Sequence, residues 1–137
     1  MINTIFDAIK TELLTLEDIK AVYAYPESNP TGYPYCYITW ENNESEIMTS
    51  QEDRVIITYR ITMVQEKIED LKGRKNAETT IRDRQWKLEE LFRENNNLGI
   101  SNVLRTQPIN TIKTYVDGRI VTETELKVQV LAEVNYK

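Results

Sequence analysis

The segment over residues 119–134 alternates between two classes of residue more regularly than any other part of the chain. A period of two residues gives a β-strand one apolar face and one polar face. Burial of the large apolar side chains would contribute roughly 1.5–3 kcal/mol each before conformational entropy is subtracted, so we expect this strand to anchor a sheet. The face expected to be buried carries Ile120, Thr122, Thr124, Leu126, Val128, Val130, Ala132 and Val134.

The opposite face of the same strand is polar. Its positions carry Glu123, Glu125, Lys127, Gln129 and Glu133. Two carboxylates on one strand face can serve as a general acid–base pair. Because Lys127 and Gln129 share that face, a solvated surface is the favoured interpretation of Glu123 and Glu125.

Two segments have the apolar spacing of three and four residues that is typical of an amphipathic helix. The first covers residues 2–16. The second begins near Asn76, whose side chain can cap the amides of the first turn, and ends in the polar run over residues 95–99. Its predicted buried face carries Ala77, Ile81, Gln85, Leu88 and Phe92.

Alternating aromatic and β-branched residues predict further strands. We expect a strand over residues 35–41 and a central strand, antiparallel to it, over residues 54–64. The polar and acidic residues 42–53 between them are predicted to form a long hairpin connection.

A weaker strand is predicted after the second helix, over residues 102–109, broken by Pro108 at an edge or bend. Residues 112–116 then meet the last strand through Asp117 and Gly118, a pair that favours a tight hairpin turn. The whole pattern predicts one α+β domain over residues 1–137. Its mostly antiparallel sheet of about five to six strands packs against two helices, with a long β-hairpin connection.

Composition excludes several kinds of chemistry. The chain has no histidine and a single cysteine, Cys36, which rules out Ser-His-Asp, Cys-His and His-zinc sites and any intrachain disulfide. Its four glycines are scattered and form no phosphate-binding loop. We therefore expect no catalytic residue, no metal site and no cofactor, and a protein that is not an enzyme.

The overall charge and the hydropathy bear on possible partners. A formal net charge of −5 disfavours broad attachment to nucleic acid or to an anionic membrane. No apolar run approaches membrane-spanning length, and the N-terminal pattern contains Asp7 and Lys10, so neither a membrane span nor a secretory signal is expected.

The second helix places one large aromatic residue on its polar side. Trp86 lies about 140° around the helix from Ile81. Its indole can form a cation–π contact with Arg82 or Arg93, or the three residues can form part of a subunit interface. Both interpretations remain open from the sequence.

The acidic connection contains a second candidate interface. Glu44 and Glu46 precede the adjacent apolar pair Ile47 and Met48. The glycine and the aspartate spacing of a calcium loop are missing, so a solvated or partner-binding segment is favoured over a cation site. Two adjacent apolar residues in an exposed connection favour contact with a partner.

The order of these elements resembles that of the tail-completion proteins of long-tailed bacteriophages, which include tail terminators and tail-to-head joining proteins. The resemblance extends over nearly the whole chain as a pattern of elements, without a short diagnostic motif. It rests on the strand entry Pro34-Tyr35-Cys36-Tyr37-Ile38, the strand over residues 55–64, the helix over residues 77–98 and the terminal hairpin around Asp117-Gly118.

The resemblance implies a non-enzymatic virion protein of the tail or neck, assembled in the host cytoplasm. Such proteins form a ring of identical subunits, commonly six, that caps the tail tube and joins it to the head connector or a head-completion protein. DNA passes through the lumen without sequence-specific binding, and no membrane is involved. In that setting Trp86, Ile47 and Met48 would meet neighbouring subunits or the next ring. Glu123, Glu125 and Lys127 would face the lumen or a subunit seam, where acidity would repel DNA.

Two other functions remain open. One is a small ligand-binding or catalytic α+β domain with a pocket between helix and sheet, using Tyr33, Tyr35 or Tyr37 and a glutamate. The other is a different component of the phage neck or baseplate, which would differ from a tail-completion protein only in its neighbours.

Overall fold

The computed structural model describes the backbone of residues 1–47 and 52–133, and the side chains of residues 1–45 and 54–131. Two helices and five strands follow one another along the described chain. In order they are α1 (Ile2–Leu13), β1 (Ala21–Tyr23), β2 (Tyr35–Ile47), β3 (Glu52–Lys67), α2 (Arg74–Glu94), β4 (Val103–Val116) and β5 (Arg119–Glu133).

The five strands form one sheet in the order β1-β2-β3-β5-β4. All neighbouring strands are antiparallel except β1 and β2, which run parallel over a short stretch. The predicted strand over residues 54–64 is confirmed as the central strand, within β3. The predicted α+β class, with two helices and a mostly antiparallel sheet, is also confirmed.

Both helices pack on the same face of the sheet. The main core joins apolar side chains of α1 and of the second half of α2 to β2, β3 and β5, and a smaller cluster joins the start of α2 to Ile120. The predicted inward face of α2 is confirmed. Its buried residues are Ala77, Ile81, Gln85, Leu88 and Phe92.

The alternation along β5 is confirmed as far as the described side chains reach. Ile120, Leu126 and Val128 have no exposed surface, and the other even positions through Val130 are also buried. The side chain of Ala132 and all of Val134 lie outside the described residues. This even face lies against the helices, so the odd face of β5 points away from them.

The acidic segment after residue 41 differs from the predicted connection. Residues 42–47 continue β2 and pair in register with β3, which itself begins at Glu52. Asparagine and glutamate are poor strand formers, but pairing with a neighbouring strand satisfies their backbone groups and outweighs local preference. The hairpin is long because its strands are long.

The segment predicted as two short strands is a single strand, β4. Pro108 lies within it, and the pairing register with β5 shifts between Pro108 and Asn110. An edge position and a bulge are the two settings in which a strand tolerates proline, and β4 provides both. The predicted tight turn is confirmed, because Asp117 and Gly118 have φ of 49° and 74° and connect the paired residues Val116 and Arg119.

The helix ends also differ from prediction. Gly73 precedes α2. The side-chain amide of Asn76 donates to the carbonyl oxygen of Lys72 and does not cap the first turn. Helix α1 ends at Leu13 because the backbone amides of Thr15 and Leu16 bond three residues back; the Leu16 amide donates to the carbonyl oxygen of Leu13 at 3.1 Å.

Candidate interaction surface

The sheet face opposite the helices, which we call the open face, carries the polar positions of β5. Glu123, Glu125 and Lys127 are half-buried there, as are the arginines of β3 at positions 54 and 60. Neither α1 nor α2 packs on this face. The structure therefore places the three residues predicted to line a lumen or a seam on one continuous surface.

A charged row crosses three strands of the open face. The Arg60 guanidinium lies 3.1 Å from a Glu41 carboxylate oxygen of β2 and 3.0 Å from a Glu123 carboxylate oxygen of β5. These side chains are 33–38% exposed, so each pair contributes about 1 kcal/mol or less. These ion pairs fix the positions of the three charged groups, and they add little to the free energy of unfolding.

The open face carries charges of both signs. Pairing registers and side-chain contacts place basic and acidic groups side by side among its described side chains. The basic set includes Arg54, Arg60, Arg105, Arg119 and Lys127, and the acidic set includes Glu41, Glu44, Glu123 and Glu125. The described side chains of this face are therefore mixed in sign.

Tyrosines cover the end of the open face nearest the β4–β5 turn. The Tyr33 ring lies 5.4 Å from the Tyr35 ring, and the Arg119 guanidinium stacks 3.8 Å from the centre of the Tyr33 ring. Tyr35 and Tyr37 pair with residues of β3 on this face, away from the helices. The tyrosines predicted to line a pocket between helix and sheet therefore lie on the other side of the sheet.

The predicted exposure of Trp86 is confirmed, since its side chain is 60% exposed. The Arg93 guanidinium lies 5.3 Å from the centre of the indole ring, which is one of the two cation–π contacts that the sequence left open. Arg82 instead donates to the carbonyl oxygen of Glu78 at 3.3 Å. A groove of about 340 Å³ runs beside Trp86 between α2 and β4. The interface role of Trp86, Arg82 and Arg93 stays a prediction.

The second predicted interface is only partly described. Glu44 is exposed at the far end of β2. The side chains of Glu46 and Ile47, and all of Met48, lie outside the described residues. Glu44 and Glu123 both lie on the open face, but in different rows of the sheet, whereas Trp86 lies on the helix layer. The structure therefore does not bring the candidate residues into one site.

Sequence reasoning missed the exposed apolar side chains of strand β4. Five of the large apolar side chains that are exposed among the described residues lie on this strand, each 47–49% exposed. The signal was present as apolar residues at both odd and even positions, which do not fit a strand with one buried face. They are Leu104, Ile109, Ile112, Tyr115 and Val116.

Buried polar groups connect α2 to the sheet. Arg84 donates to the side-chain oxygen of Gln65 at 2.7 Å and to a carboxylate oxygen of Glu66 at 2.8 Å. Burial raises the pKa of Glu66, but the hydrogen bond and the charge of Arg84 outweigh it and hold that pKa below its ordinary value. Gln85 donates to the Thr124 hydroxyl at 2.7 Å. These contacts hold the two layers together.

The Cys36 thiol and the acidic side chains are the groups of this chain that could hold a metal ion. Burial raises the pKa of the Cys36 thiol to about 12, so the thiol stays protonated at neutral pH. No group of three or more acidic, cysteine or histidine side chains in the described ranges is arranged to hold a metal ion. Within the same ranges, neither helix has the length and apolar composition needed to cross a membrane.

Comparison with known proteins gives no family assignment, since neither a protein-family model nor a curated protein sequence matches this chain.

Proposed function

We propose that this chain is a structural virion protein of a long-tailed bacteriophage. In this proposal identical subunits form a ring of about six members that caps the tail tube and joins it to the head connector. The order of elements supports the proposal, because the helix, long hairpin, helix and terminal hairpin follow one another as the resemblance implies. The protein acts by assembly and not by catalysis.

The observation that carries the proposal is the open face. Among the described residues, helices cover one side of the sheet and polar side chains of both signs cover the other, which leaves this second surface available for the interior of an assembly. Interspersed groups of opposite charge weaken each other's field at a distance, so DNA would pass such a surface without strong attachment or repulsion. In this proposal mixed charge, and not acidity alone, lets DNA move freely.

Electron microscopy of the purified protein, alone and mixed with tail tubes, tests the proposal. Rings, or caps on the ends of tubes, are the expected result. For a protein that is monomeric in isolation, the mixture with tail tubes is the decisive measurement, because assembly of a completion protein can require its target. A protein that stays monomeric and never binds tube ends would overturn the proposal.

Charge changes on the open face provide a matched comparison. Glu125→Lys makes this face basic, and the altered ring should retain DNA more strongly in a salt-dependent way. Glu90→Lys makes the same change on the exposed side of α2 and should leave DNA retention unchanged. Equal DNA retention by both variants would show that the open face does not meet DNA.

A further inference from the structure

The sheet ends in two edges that the described part of the chain leaves unpaired over most of their length. Strand β4 forms one edge along Val103–Val116, which we call the β4 edge. On the other side, β1 pairs with β2 only as far as Tyr37. Residues 40–47 of β2 therefore form a second free edge, which we call the β2 edge. A strand edge exposes unpaired amide and carbonyl groups that can bond to another chain.

The β4 edge carries little protection for its length, since Arg105 is its exposed cation and Pro108 with its bulge interrupts it once. Its exposed apolar side chains are the five that sequence reasoning missed. Lysine is a common guard of free edges. Lys113, the lysine of this strand, is held by Glu78 of α2 at 2.8 Å on the helix side of the sheet. An exposed and apolar strand edge of this length favours association with another strand.

The two edges are opposite in charge. The sequence of β4 contains no acidic residue, and its exposed Arg105 is the cation that Glu78 does not hold, since Glu78 pairs with Lys113. The sequence of β2 contains three glutamates and no basic residue. Glu41 is paired with Arg60, and Glu44 is exposed. Pairing β4 with β4, or β2 with β2, brings like charges together, whereas pairing β4 with β2 brings opposite charges together. A second copy of this chain supplies the matching edge.

We infer that the β4 edge of one copy pairs with the β2 edge of a second copy and so continues the sheet from subunit to subunit. Within one sheet, β2 and β4 are separated by three antiparallel steps and run in opposite directions. When a second copy continues the sheet with its strands in the same orientation, β4 of the first copy and β2 of the second therefore run antiparallel. This inference rests on the proposed self-assembly and specifies the surfaces that produce it.

The strand registers identify the charged pair that meets across the new contact. Glu44 pairs with Ile56, Ile56 with Gln129, and Gln129 with Arg105. Glu44 and Arg105 therefore lie on the same row of the sheet and on the same open face, at its two opposite edges. When the rows of neighbouring copies are aligned across the contact, Arg105 of one copy lies opposite Glu44 of the next.

A contact between two different edges of the same molecule is head-to-tail. Head-to-tail contacts generate rings when the rotation closes and filaments when it does not. A contact between identical edges would stop at a dimer. The proposed pairing is therefore of the kind that a ring of subunits requires.

Directed disulfide formation tests the pairing. One preparation carries Arg105→Cys, a second carries Glu44→Cys and a third carries Asn42→Cys, the neighbouring position on the same face. Directly opposed residues on antiparallel strands lie about 4.5–5.5 Å apart, within the range that a disulfide spans. Cys36 is buried and stays in place in all preparations.

After mild oxidation, the Arg105→Cys protein mixed with either β2-edge variant should form a disulfide-linked dimer on a non-reducing gel. Each variant alone should remain largely unlinked. Absence of the mixed dimer with both β2-edge variants, or linkage of each variant to itself as readily as to the other, would overturn the inference. Arg105→Cys mixed with Lys10→Cys, an exposed position on α1, provides the matched control and should not link.

Charge reversal gives a second readout that does not depend on disulfide geometry. Arg105→Glu alone and Glu44→Arg alone should each weaken assembly on tail tubes roughly tenfold or more, because like charges then oppose each other. The double variant restores opposite charges and should recover most of the loss. Additive losses in the double variant would count against the pairing.

The two proposals can fail separately. Rings or tube caps without a mixed disulfide dimer would keep the structural role and reject the edge pairing. A mixed dimer without rings or caps would keep the edge pairing and reject the role in tail completion.

Discussion

Tyr59 connects the sheet to the start of α1 through one buried hydrogen bond. Its side chain has no exposed surface, and its hydroxyl donates to the carbonyl oxygen of Ile2 at 2.7 Å. Burial raises the pKa of this hydroxyl above its ordinary value, so the hydroxyl stays protonated as a donor at neutral pH. This long-range bond adds to the core contacts that hold the first helix on β3.

Removing that hydroxyl should measurably destabilise the fold. Tyr59→Phe keeps the ring and leaves the Ile2 carbonyl without its donor, so we expect the free energy of unfolding to fall by about 0.5–1.5 kcal/mol in urea titration. Tyr25→Phe, at a side chain that is 58% exposed, is the matched control and should change little. An equal fall in both variants would contradict the role assigned to the Tyr59 hydroxyl.

Trp86 is the opposite case at the residue scale, because it contributes little to the core. Trp86→Ala removes an exposed cation–π contact with Arg93, so the free energy of unfolding should change by about 1 kcal/mol or less. Assembly on tail tubes should weaken if the side chain meets a neighbour. Thermal unfolding and tube binding measured together separate the two effects, and a large loss of stability would show that Trp86 packs within its own subunit.

At the element scale, the β4–β5 hairpin depends on its two-residue turn. Gly118 has φ of 74°, a conformation that costs a residue with a side chain about 1–2 kcal/mol. A β-carbon placed there would meet no atom within 4 Å, so the cost is conformational and not steric. The turn fixes the register that puts the buried positions of β5 against the helices.

Gly118→Ala should therefore lower the free energy of unfolding by about 1–2 kcal/mol. Asp117→Asn is the control, because asparagine accepts the left-handed conformation readily, and it should change stability by about 0.5 kcal/mol or less. Both variants are compared by urea unfolding. Unchanged stability in Gly118→Ala would mean that the turn relaxes to another type without cost.

The whole molecule consists of a helix layer and a sheet layer joined by polar contacts as well as by the core. Glu66 bonds to Arg84 of α2, and its pKa is lowered in the folded protein. The stability of this contact between the two layers therefore depends on pH. A carboxyl whose pKa is lowered on folding stabilises the native state above its unfolded pKa. That contribution is lost as the pH falls through the lower folded value.

Glu66→Gln should be less stable than the wild type at pH 7, by about 1 kcal/mol. The difference should shrink as the pH is lowered below 4.5, the ordinary pKa of the group, because the wild-type carboxyl then becomes protonated as well. Urea unfolding at several pH values measures this. A difference that stays constant down to the lowest pH would show that the ion pair does not carry the effect.

Sequence periodicity determined which residues of β5 and of the two helices are buried. The alternation in β5 and the spacing of three and four residues in α1 and α2 are local consequences of strand and helix geometry, so they can be predicted without knowing what packs against them. The Asp117-Gly118 turn is local for the same reason. The exposure of Trp86 follows from its angle around α2.

Tertiary pairing decided what the sequence left open. Residues 42–47 are strand because β3 satisfies their backbone groups, and β4 is one strand because its edge position tolerates Pro108. The sheet order then placed Tyr35 and Tyr37 away from the helices and put charges of both signs on the open face. Two oppositely charged edges likewise exist only once the strands are ordered, because an edge is defined by the strand that is absent beside it.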